Sequence, residues 1–319
     1  MKKLLKRILN HPEIQQNPPV LVDIGASNKI HPKWKLIANH SICIAFDADE
    51  RDFQFVEKEQ NNFKKLYVFN RVVTDQNVDK IPFYLTRSPY CSGLLKPDLD
   101  KLKPYLFSNL FEVENTVILK ATHLQFALNN LGIKTVDWFK SDSQGTDLRL
   151  FKSLDEDIRK NILVAEFEPG IIDAYKGEDK LFSVLEFFNN KDFWLSDIEI
   201  KGTPRIPYEK FHSEFRGNIF KKLLKESIKT APGWGEMTFM NSFESNSLTL
   251  REYLLGWIFV MIEKHFSFAY IIAEQGQGKF NADLFNEMKS YSKMKMKQEV
   301  YRLKFLPSAA KYFKKNSLR

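Results

Sequence analysis

The sequence predicts an α/β fold: a mostly parallel sheet flanked by helices, followed by a helical C-terminal extension. Three observations carry this. Residues 20–27, Val-Leu-Val-Asp-Ile-Gly-Ala-Ser, form a short apolar run that stops at Asp23, Gly25 and Ala26, as a strand buried on both faces does before a tight turn. Further short apolar runs stand at 41–46, 66–69, 135–140 and 162–167, with segments between them long enough for crossover helices. From Ser247 onward, Leu250, Leu254, Trp257, Ile258, Met261 and His265 recur at three- and four-residue intervals, which is the period of a helix.

Taken in order, residues 1–17 open with a basic and partly apolar stretch, Met-Lys-Lys-Leu-Leu-Lys-Arg-Ile-Leu-Asn. It lacks a sustained apolar region and a small-residue cleavage site, so a short amphipathic helix is expected. The main domain spans 18–243. Its first three strands are separated by 32–39 and 51–65, each expected to hold a returning helix, which gives βαβαβ. Two more strands flank 146–160, where Leu148, Phe151 and Leu154 fall at helical spacing. The runs 194–200 and 237–243, with the turn-rich segment 201–208 after the first (Gly202, Pro204, Pro207), are expected to form an antiparallel edge. Residues 247–319 form the helical extension, with Ser247 as its N-cap.

Composition narrows the class. With 319 residues and 43% hydrophobic content the chain can fill a sizeable core. Two cysteines, Cys43 and Cys91, make neither a disulfide framework nor a CxxC pair, which fits a reducing cytoplasm. The apolar stretch 253–262 is about half of the roughly 20 residues a membrane span requires, and Arg251, Glu252, Glu263 and Lys264 bracket it. The net charge of +8 resides in 286–319, where ten Lys or Arg face two Glu, and the rest of the chain balances to zero. A nucleic-acid enzyme places its basic surface around its site, so no nucleic acid is expected. The basic tail reads as a solvated helix face or as a peripheral contact with an anionic membrane at its inner surface.

In open α/β sheets, ligands bind beyond the carboxyl ends of the strands. Asp23, Gly25, Ala26 and Ser27 occupy that place on the first strand. Asp47 and Ala48 occupy it on the second, and Val72 follows the third. Asp47 stands 24 positions after Asp23, where a carboxylate accepts from the ribose hydroxyls of an adenosine cofactor. The interval alone does not separate NAD from other adenosyl cofactors, but the glycines do. Gly25 is followed by Ala26, Ser27, Asn28, Lys29 and Ile30, so the G-x-G-x-x-G needed to cradle a pyrophosphate is missing. S-adenosylmethionine has no phosphate, and its positive end is favoured beside a carboxylate.

Leu21-Val-Asp-Ile-Gly-Ala-Ser27 with Ile44-Ala-Phe-Asp-Ala-Asp49 resembles the opening of class I S-adenosylmethionine-dependent methyltransferases, specifically the FkbM-like family. Asp137-Trp-Phe-Lys-Ser-Asp-Ser-Gln-Gly-Thr-Asp147 is similar to that family's Asp-x-x-Lys-x-Asp-x-x-Gly-x-Glu stretch, with aspartate in the place of its glutamate. Val164-Ala-Glu-Phe-Glu-Pro169 looks like the strand after it, and 236–240 like the last strand. The family's further glycine after Asp-x-Gly-Ala is replaced around Asn28 and Lys29. The resemblance implies a Rossmann-like sheet, a cofactor held by the first loop and Asp47, and Asp142 facing the methyl-transfer site. It also implies O-methylation of a hydroxyl on a glycan sugar or related metabolite. Tyr90-Cys-Ser-Gly-Leu-Leu-Lys-Pro97 resembles a serine-rich loop of one branch of the family, which makes Tyr90 and Ser92 candidate substrate contacts; the alternative is a surface loop turning at Pro89 and Gly93.

Methyl transfer to a hydroxyl requires alignment and a proton acceptor. Asp142 and His31 are the leading candidates, with Glu166 and Glu168 behind them. Asp142, Glu166 and Glu168 together could offer hard oxygen ligands, but the spacing does not demand a metal and none is expected. Two rival readings remain at this point: an NAD-dependent oxidoreductase, which the missing glycines oppose, and a catalytically silent protein of the same fold that docks through its basic tail.

Overall fold

The computed structural model describes residues 2–26, 30, 32–48 and 62–304. The chain divides into two compact units, Pro19–Ser242 and Met1–Pro18 together with Phe243–Arg319.

The larger unit is a mixed α/β structure on a seven-stranded sheet. Its strands are β1 (Val20–Ile24), β2 (Ile42–Phe46), β3 (Lys65–Phe69), β7 (Trp138–Ser141), β8 (Val164–Phe167), β9 (Phe193–Thr203) and β10 (Ala231–Asn241). They lie in the order β3-β2-β1-β7-β8-β10-β9. β1 pairs in parallel with both β2 and β7, β2 with β3, and β7 with β8, whereas β10 runs antiparallel to β8 and to β9. The antiparallel strand is therefore next to last, and the edge strand β9 points the same way as the rest. The runs 194–200 and 237–243 thus form the expected antiparallel pair at the sheet's edge, with β9 outermost and β10 the reversed strand. A doubly wound dinucleotide sheet has its sixth strand directly beside the fifth; here β10 is wedged between them. Edge strand β9 alternates Asp197, Glu199 and Lys201 with Ile198 and Ile200, a charge pattern that discourages pairing with another chain.

Apart from Asp23, Lys140 and Ser141, the residues of β1, β2 and β7 are apolar, because both faces of these strands are covered. Val22, Ile44 and Phe139 are fully buried, in one core with Phe151, Phe167, Phe188 and Phe239. Phe188 stacks on Phe239 at 4.1 Å between centroids and meets Phe167 tilted at 5.4 Å. The helix expected over 146–160 is two helices, Asp147–Lys152 and Glu156–Asn161. Leu148, Phe151 and Leu154 are all buried as their spacing implied, but the backbone breaks at 153–155, where Gln125 Oε1 accepts from Asp155 N at 2.8 Å. The expected helix at 32–39 is a pair of 3₁₀ turns, Pro32–Leu36 and Ala38–His40, anchored by fully buried Trp34. Most of 51–65 lies outside the described residues.

A second sheet was not foreseen from the sequence. β4 (Val72–Thr74) pairs in parallel with β6 (Val113–His123), which pairs antiparallel with β5 (Lys80–Thr86). It brings Val72 and Phe83 to the rim of the main sheet's crevice.

In the other unit, Thr249 rather than Ser247 caps the first long helix, Leu250–Ile262: the Glu252 carboxylate accepts from Thr249 N at 2.8 Å and from its hydroxyl. This helix is buried nearly all round, so the apolar run 253–262 is a core helix. Among the described residues no helix is long and apolar enough to cross a membrane. His265 lies outside that helix, at the N-cap of Phe266–Phe280. The basic tail enters Asp283–Lys304, whose inner face is core: Phe285, Met288 and Ser292 are fully buried and Trp257 Nε1 donates to Ser292 Oγ at 2.9 Å. The N-terminal segment is two helices, Lys2–Leu9 and Pro12–Gln16. Arg251 lies under its end, donating to the carbonyls of Asn17 at 2.8 Å and Pro18 at 3.2 Å.

Candidate active site

Along the sheet the chain order reverses between β1 and β7, and a crevice opens beyond the carboxyl ends of strands at such a switch point. A cleft lies there. Its floor is the tips of three strands. After β1, Gly25 takes φ +80° and donates to Phe46 O at 3.0 Å. After β2, Asp47 N donates to Phe69 O at 3.2 Å. After β7, Asp142 N donates to Ile24 O at 3.0 Å. Gly25 and Asp142 approach so closely that a Cβ on Gly25 would stand 2.1 Å from Asp142 O. The glycine is therefore demanded by the neighbouring strand as well as by the turn.

The cleft brings together Gly25, Asp47, Ala48, Val72, Tyr90, Ser92 and Asp142 from the sequence-derived site. Ser27 and His31 lie outside the described residues. Ala26 is buried, with its N donating to Phe46 O at 3.2 Å, and it is not among the lining residues. Asp23 is not among the residues that line the cleft. It stands opposite Lys140 in the β1–β7 register, and Lys140 Nζ reaches its carboxylate at 3.1 Å. A buried lysine requires a partner, and Asp23 serves that need.

The segment 137–147 builds the far wall, and each of its polar residues has a place. The Asp137 carboxylate accepts from Val20 N at 2.8 Å, fastening the starts of β7 and β1. Gln144 adopts φ +57°, and its Nε2 donates to Asp142 Oδ1 at 2.7 Å. Its Oε1 lies 2.8 Å from the Tyr175 hydroxyl, which is also 3.0 Å from Cys91 O. Gly145 turns at φ +94°, where a Cβ would meet Glu178 Cβ at 2.7 Å. Asp147 is fully buried and gathers Ser141 Oγ, Ser143 N, Ser143 Oγ and Glu168 N as donors. The Asp142–Gln144–Tyr175 line was not foreseen from the sequence. Gln144 lies within the quoted motif, but its partner is 31 positions away.

Electrostatically the wall is a cluster of carboxyls around one ammonium. Burial raises the Asp142 carboxyl to about 6, with Lys140 opposing and Asp147 and Asp23 adding to the rise. Burial, helped by the Asp142 charge and opposed by Lys140, raises Glu168 to about 9. Burial alone would lower Lys140, but the carboxylates of Asp23, Asp142 and Glu168 outweigh it and hold the ammonium above its usual range. At neutral pH the arrangement is a charged Lys140, an ionised Asp142 and a protonated Glu168.

A consequence for stability follows. The unfolded chain releases the Glu168 proton near the ordinary carboxyl value of about 4.3, whereas the folded protein keeps it to about 9. This contribution is complete below the unfolded value and is lost as pH rises towards 9. Urea unfolding is expected to show falling stability from pH 6 to 8.5, with a slope from this proton of up to ~1.4 kcal/mol per pH unit. Glu168→Gln, which mimics the protonated form, should flatten the curve; parallel curves for the two proteins would refute the assignment.

Tyr90 is 63% exposed at the cleft mouth. Ser92 lines the cleft, but its Oγ accepts from Thr86 N at 3.0 Å and lies 3.3 Å from Thr86 Oγ1, which itself donates to Ser88 O at 2.7 Å. That hydroxyl helps to hold the loop together. Burial pushes the Cys91 thiol up to about 11, so it stays protonated and unsuited to nucleophilic attack. Glu166 accepts from Trp138 Nε1 at 2.6 Å and faces Lys33 at 3.5 Å. It is thereby engaged away from Asp142, and no group of three or more metal-binding side chains forms among the described residues. Arg71, Phe83 and Leu94 also line the cleft; they come from the second sheet and its loops, which the sequence reading had not placed.

No protein-family model matches the chain. No curated protein matches it either. Among solved structures, one described as "StiE O-MT residues 961-1257" matches with a TM-score of 0.31 and 10% identity, over 83% of this chain and 80% of that one.

Proposed function

We propose that this protein is an S-adenosylmethionine-dependent methyltransferase acting on a hydroxyl, with a sugar of a glycan or a related metabolite as the acceptor class. The observation that carries the reading is the convergence of Gly25, Asp47 and Asp142 on one cleft at the switch point. The residues suit the cofactor. Asp47 is buried at the tip of β2, where a carboxylate can accept from ribose hydroxyls. Phe46, Val72, Val73 and Phe83 give the same wall an apolar lining suited to an adenine ring. Nothing in 25–30 supplies the glycines of a pyrophosphate cradle, and the surplus of carboxylates favours a cationic ligand. The acceptor class rests on the family resemblance of the motifs.

The cofactor would supply an electrophilic methyl group; the chain's own residues do the rest. Asp142 is the candidate proton acceptor: it faces the cleft, is ionised above pH about 6, and is aimed by the amide of Gln144. Gln144 is in turn held by Tyr175, so the carboxylate is pre-oriented without a change of rotamer. Tyr90 stands where an acceptor would enter.

Calorimetric titration tests the reading: heat with S-adenosylmethionine and none with NAD supports it. Heat with NAD alone would replace it by the oxidoreductase, and silence to both by a binding protein of this fold. Asp47→Ala should weaken S-adenosylmethionine binding by about 1–3 kcal/mol, roughly ten- to hundredfold, for the loss of a charged hydrogen bond. Unchanged affinity would remove Asp47 from the site.

A further inference from the structure

We propose that the helix Asn218–Ser227 is a docking element for an anionic lipid surface. It lies in the connection between β9 and β10 and begins at Gly217, which turns the chain at φ +83°. Ile219, Phe220 and Leu223 stand three and four residues apart and so share one face. Their exposures are 80%, 55% and 60%, and no residue of the helix is buried. A surface helix of a globular domain turns such a stripe inward. This one turns it outward, while Leu224 and Lys221 are the partly covered residues.

The charge beside the stripe names the partner. Residues 216–229 carry Arg216, Lys221, Lys222, Lys225 and Lys229 against the single acid Glu226. Arg216, Lys222, Lys225 and Lys229 are exposed. An exposed apolar stripe flanked by long cationic side chains is the pattern of a helix that lies in a membrane interface, its apolar side chains among the acyl chains and its lysines at the headgroups. Three side chains on a ten-residue helix fall far short of the roughly 800 Å² per side of a stable protein interface. A lipid surface needs no such complementary area, and anionic headgroups supply the countercharge. The site is separate from the basic tail, and the inference does not rest on methyl transfer.

The test is sedimentation of the full chain with phosphatidylcholine vesicles, with and without phosphatidylglycerol. The wild type should pellet with the anionic vesicles only, and less as salt rises. Ile219→Ser/Phe220→Ser/Leu223→Ser and, separately, Lys222→Glu/Lys225→Glu should each weaken binding by about tenfold or more. Thermal unfolding of both variants should match the wild type, because these side chains are exposed. Equal pelleting of variants and wild type would assign the contact to another surface, and absence of pelleting would remove it. Self-association of the wild type, lost in the triple-serine protein, would make a second copy the occupant. Each of these three results overturns the proposal.

Discussion

Gly25→Ala is expected to destabilise the protein by about 2–5 kcal/mol and to abolish ligand binding in the cleft. Two costs add. The first is conformational: at φ +80° an L side chain occupies the left-handed region, at about 1–2 kcal/mol. The second is steric, because the new Cβ would lie 2.1 Å from the carbonyl oxygen of Asp142. That neighbour is backbone, fixed by the hydrogen bond from Asp142 N to Ile24 O. Relief therefore requires parting the tips of β1 and β7, and forced overpacking of this kind costs a further 1–3 kcal/mol or so. Gly132→Ala separates the terms. Gly132 has φ +68° but nothing within 4 Å of a built Cβ, so it should lose only the conformational part. Urea midpoints for the two variants decide the matter: similar losses would show that the contact with Asp142 contributes nothing.

The same close approach explains what could be read from the sequence and what could not. The strand tips were legible because a strand covered on both faces must be apolar throughout. Where such a run ends in Asp23-Ile-Gly25, in Phe46-Asp47 or in Ser141-Asp142, polar groups appear at the sheet's edge. Gly25 and Asp47 were identified on that ground and Asp142 through the family resemblance of 137–147, and the structure gathers all three in one cleft. The partner of Asp23 could not be read because it is set by register: only the pairing of Asp23 with Lys140 across 117 positions shows that it neutralises a buried ammonium. Gln144 and Tyr175 were missed for the same reason.

The second sheet escaped for a different one. β6 exposes Glu114, Asn115, Thr116, Ile118 and Lys120, so its apolar signal is diluted, and no Asn-Gly or Asp-Gly turn marks its pairing with β5. The break at 153–155 sits inside an intact helical period, because buried Leu154 keeps the stripe in phase while Gln125 draws Asp155 N away. The outward-facing stripe of Asn218–Ser227 could not be read either, since periodicity gives a face its composition and not its direction.

Asp147→Ala is the second large effect, expected at about 3–5 kcal/mol. Asp147 is fully buried and is the first residue of the helix Asp147–Lys152. One carboxylate oxygen accepts from Ser141 Oγ at 2.5 Å, Ser143 N at 2.8 Å and Ser143 Oγ at 2.6 Å, and the other from Glu168 N at 3.3 Å. Burial raises its pKa, and the hydrogen bonds from Ser141 and Ser143 oppose that rise. Alanine would leave these donors without an acceptor in a closed space, and each such loss costs more than the bond itself was worth. The damage would reach the cleft, since Ser141 and Ser143 flank Asp142 and precede the strained turn at Gln144. Restoring the charge one methylene further out should restore stability only in part. Asp147→Glu places extra volume at a site with no exposed surface, so only part of the loss should be recovered. Urea unfolding of both variants, alongside calorimetry with S-adenosylmethionine, gives the readout. A change below about 0.5 kcal/mol in Asp147→Ala would mean that these hydrogen bonds do not hold the far wall of the cleft.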